Sequence, residues 1–111
     1  MQETDIVLAY LPQSDGTLKR RPALILREMP KFKDFLVCGI STQLHQKAEN
    51  FDELITPEDT DFSGSGLKSE SLIRLGFLAV LATEDIIGKI GTISAERHQR
   101  LLKNLSDYLM Q

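Results

Sequence analysis

The chain of 111 residues has no tryptophan, one cysteine and two histidines. Each shortage removes a class of chemistry. With Cys38 alone no internal disulfide can form, so the fold must be held by a core rather than by cross-links. The neighbours of that cysteine in "FLVCGIS" are apolar, and no cation or histidine stands beside it to lower its pKa. Cys38 is therefore expected to be a small buried hydrophobe, not a nucleophile. His45 and His98 lie far apart and, with a lone cysteine, offer no metal-ligand spacing, so neither a metal nor another cofactor is expected. "SDGTLK" and "SGSGLK" lack the Walker spacing for a phosphate loop, and no serine has the setting of a nucleophile elbow. No apolar run approaches the roughly 20 residues of a membrane-spanning helix. The opening "MQETDIVLAY" lacks the basic start and small-residue cleavage site of a signal peptide. A cytoplasmic protein with no membrane contact is the expectation.

What is present is an ordinary globular balance, 41% apolar and 26% charged residues, in a length suited to one domain over 1–111. The net charge of −3 argues against a general nucleic-acid coat. That average hides a division. Residues 17–33, "TLKRRPALILREMPKFK", hold nearly all their charge as cations, whereas 46–62, "QKAENFDELITPEDTDF", are rich in acids. The sequence thus allows either a basic and an acidic face or two solvated loops of opposite sign.

Short apolar and β-branched runs alternate with turn residues. "DIVLAYL" (5–11), "PALILRE" (22–28) and "DFLVCGIST" (34–42) predict three strands, with "PQSDGTLKRR" an exposed loop and "MPKFK" a hairpin connection. Pro22 suits the first residue of a strand, where no ladder donor is needed. A short strand is expected near "FDELIT". "SLIRLGFLAVLAT" (71–83) is too long and apolar for one surface strand, and Gly76 marks a bend, bulge or sharp turn in it, so two strands or one strongly bent one are expected. "DIIGKIGTIS" adds a turn and a small strand. From Ser94 the period changes: Ser94 suits an N-cap, Glu96 the first turn, and Leu101, Leu102, Leu105, Tyr108 and Leu109 recur at helical spacing. This predicts an amphipathic helix over 95–109, with His98 a structural residue at the edge of its apolar stripe. The connections between strands are too short for helical crossovers, so the fold class is mainly β, a small, strongly bent barrel with a C-terminal α-helix.

One pair of segments carries chemistry. If the second and third strands form an antiparallel hairpin, "KRRP" at the start of one and "GISTQ" at the end of the next share the same end. A guanidinium there offers a planar fork of donors for phosphate oxygens, and adjacent hydroxyls can donate to the same group. These residues alone indicate anion binding. The competing reading, in which Arg20 or Arg21 pairs with a surface carboxylate while Ser41 and Thr42 cap a turn, stays open.

Four stretches in order, "DIVLAYLPQSDGTLKRRPALIL", "VCGISTQ", "SGLKSESLIRLGFL" and "IIGKIGTIS", followed by a terminal helix, resemble the MazF/PemK family of type II toxins across nearly the whole chain. The resemblance implies an SH3-like barrel of the plasmid-toxin type shared with CcdB, usually a homodimer. It implies a metal-independent, sequence-specific endoribonuclease that cuts single-stranded RNA such as mRNA, and an antitoxin protein as partner. The family's essential arginine precedes the proline of its "RP" motif, here Arg21. Its hydroxyl residue falls on Ser41, with Thr42 beside it. These three are the expected catalytic residues. Lys19, Arg20, Gln43 and Arg74 are the expected RNA contacts, Arg74 matching a basic position of the plasmid-borne branch.

Three features depart from that pattern. Thr4 stands where a glycine is common, Gly76 stands where the plasmid-borne branch often carries an acid, and the overall charge is acidic for a nuclease. Gly76 and the acidic balance keep in play a catalytically silent toxin-like dimer that binds an antitoxin. The shared barrel shape allows a same-fold protein that poisons a topoisomerase through its terminal helix, against which the Arg21 and Ser41 pair argues.

Overall fold

A computed structural model describes residues 1–111. Six strands and one helix follow along the chain: β1 Asp5–Pro12, β2 Leu18–Glu28, β3 Phe35–Ser41, β4 Glu53–Ile55, β5 Ser71–Leu81, β6 Ile86–Thr92 and α1 Ala95–Leu109. Every pairing is antiparallel, in the order β4-β5-β3-β2-β1-β6. The sheet curls into a half-barrel. Its two ends are bridged by the turn Ser63–Ser65, which lies so close to β6 that a Cβ on Gly91 would stand 2.2 Å from the Ser65 backbone.

Side chains alternate across each strand, so the register sorts the core into two faces. Ile6, Leu24, Cys38 and Ile73 lie on one, where Leu101 and Leu105 of α1 cover them. Val7, Ala9, Ala23, Ile25 and Val37 lie on the other and gather with Phe35 and Leu81. The helix begins where expected because the Ser94 hydroxyl accepts from the Arg97 N–H at 3.1 Å. His98 is buried and donates from Nε2 to the Leu26 carbonyl at 3.0 Å, a structural link between α1 and β2. Burial pushes the Cys38 thiol up to about 12, with the Asp52 charge adding to it, so that it stays protonated and inert.

Two expectations need correction. The segment from Pro12 to Arg21 is not a loop, because the Gln13–Thr17 turn is compact. Asp15 Oδ1 accepts from the Thr17 N–H at 3.0 Å and from its hydroxyl at 2.6 Å, and Gly16 takes φ +85°. Beyond it Lys19, Arg20 and Arg21 pair with Leu11, Tyr10 and Ala9, so the cations belong to β2 itself. Nor is 46–62 an exposed acidic face. Glu53, Asp59 and Asp61 all reach the buried Arg97 of α1, at 2.8, 3.1 and 2.8 Å, and the Asp52 side chain is buried.

The long segment 71–83 is one bent strand. Between the pairs Gly39↔Arg74 and Cys38↔Leu78, residues Leu75, Gly76 and Phe77 leave the ladder, so β5 bulges where Gly76 lies.

Candidate functional site

The β2–β3 ladder ends at Ala23↔Gly39. Two residues further along each strand stand Arg21 and Ser41, on the face shared by Ala23 and Gly39. Both line a cleft of about 680 Å³ that opens beyond this last pair. Pro22 lies in the same stretch, where β2 has β1 on one side only, so its missing N–H leaves no ladder partner unsatisfied. Alternation sends Arg20 the other way, opposite Tyr10.

Arg74 of β5 pairs with Gly39 and enters the cleft from the third side. Its guanidinium carbon sits 5.9 Å from the centre of the Phe77 ring, within cation–π reach. Gly39 leaves room for it, since a Cβ there would stand 3.3 Å from that ring, a tight contact that the ring would have to yield to by a few tenths of an ångström. Neither Arg21 nor Arg74 has a carboxylate within ion-pair distance, whereas Arg27, Arg97 and Arg100 do. The cleft therefore holds uncompensated positive charge, with Lys68 adding to it from the rim. No Asp, Glu or His lines it.

Ser41 Oγ accepts from the Gln43 N–H at 2.9 Å, a turn that fixes the hydroxyl oxygen and leaves its proton free to donate. The turn-capping role thus coexists with a place in the cleft. Thr42 and Gln43 line the same wall. Of the residues expected from sequence, Arg21, Ser41, Thr42, Gln43 and Arg74 come together; Lys19 and Arg20 do not border the cleft. Sequence reasoning missed Gln13, Gln46 and Lys68, which sit on its rim, and Phe77, its one aromatic side chain. All four come from turns or from the bulge, whose facing no periodicity reports.

The family model of the PemK-like, MazF-like toxin of type II toxin-antitoxin system matches residues 2–109. The chain belongs to this toxin family. Among solved structures, the Mycobacterium tuberculosis toxin MazF-mt6 superposes with a TM-score of 0.71 at 20% sequence identity, covering 96% of each chain. At that identity the likeness establishes the fold, and it agrees with the curled sheet and terminal helix. No curated protein matches the sequence significantly. In this toxin-family chain "RRP", "GISTQ" and "LIRL", far apart along the sequence, each bring a residue to one cleft.

Proposed function

We propose that this family member is a metal-independent endoribonuclease that cleaves single-stranded RNA, with Arg21, Ser41 and Thr42 at the reacting phosphate and Gln43 and Arg74 as RNA contacts. The observation that carries the reading is the unpaired Arg21 beside Ser41 in a cleft without carboxylates. An anion entering it meets three cations, Arg21, Arg74 and Lys68, and no like charge.

The RNA 2′-hydroxyl attacks the adjacent phosphorus, the bond to the 5′-oxygen breaks, and the products carry a 2′,3′-cyclic phosphate and a 5′-hydroxyl. Charge grows on the non-bridging oxygens as this happens. Arg21 stabilises it with preorganised donors, a type of contribution worth about 10² to 10³ in rate. The Ser41 hydroxyl, held by Gln43, donates to the same group, and Thr42 helps to seat it. The leaving 5′-oxygen takes a proton from Arg21 as the guanidinium recovers one from solvent water, so that Arg21 ends the step charged. With a solution pKa above about 12 an arginine is a poor base, so Arg21 is assigned charge stabilisation and not removal of the 2′-proton. DNA, which lacks the 2′-hydroxyl, is not a substrate.

The acting species is proposed to be a cytoplasmic homodimer controlled by an antitoxin. No helix is long and apolar enough to cross a membrane. Leu78 and Val80 on β5 are exposed on the face that α1 covers further along, as are Tyr108, Leu109 and Met110 at the end of α1. These residues offer an apolar flank for a second copy.

A second reading has one observation in its favour. The absence of any Asp, Glu or His in the cleft, with Gly76 where an acid is common in the plasmid-borne branch, suits a silent toxin-like protein that binds an antitoxin without cutting RNA. Cleavage of a mixed-sequence RNA in EDTA, with end-group analysis, decides. Cyclic-phosphate ends produced by the wild type and lost in Arg21→Ala are the expected result. Equal, background-level cleavage by both proteins selects the silent reading.

A further inference from the structure

We infer that Asp52 is a positioning residue for Arg74: its buried carboxylate replaces the missing strand partner of the β5 bulge and so sets where the Arg74 guanidinium enters the cleft. The inference rests on the reading of that cleft as the RNA site.

Asp52 is only 7% exposed, yet no cation lies within ion-pair distance of it. Its two oxygens are used on backbone instead. Oδ2 accepts from the Ala48 N–H at 2.9 Å and Oδ1 from the Leu75 N–H at 2.9 Å. The second bond spans a gap in the sheet. On the β3 side the ladder leaves β5 at Gly39↔Arg74 and resumes at Cys38↔Leu78. On the β4 side it ends at Glu53↔Ile73. Leu75 is fully buried and has neither strand opposite it, so without Asp52 its N–H would be a buried donor with no partner.

The position of Leu75 gives this bond its consequence. Leu75 follows Arg74 directly, and two residues later comes Phe77, on whose ring the guanidinium rests. A bulge has no ladder of its own to define its path. Anchoring its first N–H to a charge-assisted acceptor defines it, and with it the direction of the Arg74 side chain. The carboxylate suits the task better than an amide. Both Asp52 oxygens accept, whereas an asparagine that kept the Leu75 bond would turn its NH₂ toward the Ala48 N–H, donor against donor. Asp52 does not border the cleft, so it has no direct contact with RNA to lose.

The test is a double-mutant cycle on the full chain. Binding of a mixed-sequence oligonucleotide with hydrogen in place of every 2′-hydroxyl is followed by anisotropy across a salt series. Arg74→Ala is expected to weaken Kd roughly tenfold and to reduce the salt slope by about one phosphate contact. Asp52→Asn, checked for folding by thermal melting, is expected to produce roughly a fivefold loss with the same fall in slope, and the double variant to be no worse than Arg74→Ala alone. Losses that multiply in the double variant, with the slope of Asp52→Asn unchanged, overturn the inference and leave the cleft reading standing. An Arg74→Ala variant that binds like the wild type overturns both. If Asp52→Asn does not fold, the amide resonance of Leu75 decides. Its movement on addition of the same oligonucleotide to wild type, but not to Arg74→Ala, supports the coupling, and a Leu75 amide indifferent to the oligonucleotide overturns it.

Discussion

Arg97 of α1 grips Asp61 with two prongs, Nε to Oδ2 at 2.8 Å and Nη2 to Oδ1 at 3.1 Å, and its Nη1 donates to Glu53 at 2.8 Å and to the Leu54 carbonyl at 3.0 Å. One buried guanidinium thus ties the helix to β4 and to the segment that runs on into the cleft rim at Gly66 to Ser69. Arg97 is held charged: burial works against its proton, but the hydrogen bond to Asp61 and the charges of Asp61, Glu53 and Asp59 outweigh it.

This network makes stability depend on acid. The Arg97 hydrogen bond holds the Asp61 carboxyl at about 2, below its ordinary 3.8. A carboxylate depressed in the folded state contributes stability that is complete above its unfolded pKa and lost as pH falls through the folded one. Urea midpoints should therefore be level above about pH 4.5 and fall steadily toward pH 2 from this source. Arg97→Met should cost about 3 to 5 kcal/mol at pH 7, because it leaves carboxylates without their counter-charge. A melting temperature unchanged in Arg97→Met would remove the network from the fold's supports.

The two adjacent arginines should separate in kinetics. Arg21→Ala is expected to lower kcat for RNA cleavage by about a hundredfold to a thousandfold with the fold intact. Arg20→Ala, on the other side of the strand, should leave kcat within a few fold of wild type and raise KM modestly through lost long-range attraction. Equal losses in both variants would contradict the strand geometry that puts only Arg21 in the cleft.

Salt should weaken binding gently. Arg21, Arg74 and Lys68 are the cations that line the cleft. Three phosphate contacts on a single strand imply a log–log slope of about −2. Anisotropy titrations between low and physiological salt measure it. A slope steeper than about −4 would mean that Lys19, Arg20 and the hairpin lysines join the footprint.

Glycines should divide sharply. Gly66 lines the cleft at φ +77°, and a Cβ there would stand 2.1 Å from the Ile90 carbonyl oxygen, so Gly66→Ala must push the rim off β6. A loss on the order of 2 kcal/mol or more is expected, together with reduced RNA affinity. Gly88→Ala, whose Cβ meets nothing within 4 Å, should change thermal stability by less than about 0.5 kcal/mol. Similar melting curves for the two would refute the close approach of rim and strand.

Much of the architecture is legible in the chain. Alternating apolar runs mark the strands, and Ser94 with the leucine period marks α1 to the residue, because these signals are local. Gly76 announced an irregularity in β5 for the same reason: a residue without a side chain in an apolar run interrupts any strand. Arg21 and Ser41 could be placed together as well, since a hairpin brings the two ends of "PALILRE" and "FLVCGIS" side by side. What the sequence could not settle was which charges are free. The acids of 46–62 look like a solvated face until α1 folds back over β4 and Arg97 collects three of them. The cations of 19–21 look like one cluster until pairing with β1 sends neighbours to opposite faces. Asp52 has no sequence signal at all, because the donor it serves is orphaned only when β3 and β4 both leave β5 at the bulge. Periodicity records which side of its own element a residue occupies. Only the packing of elements against one another decides what waits there, and that decision left Arg21 and Arg74 unpaired beside Ser41 while it neutralised Arg97.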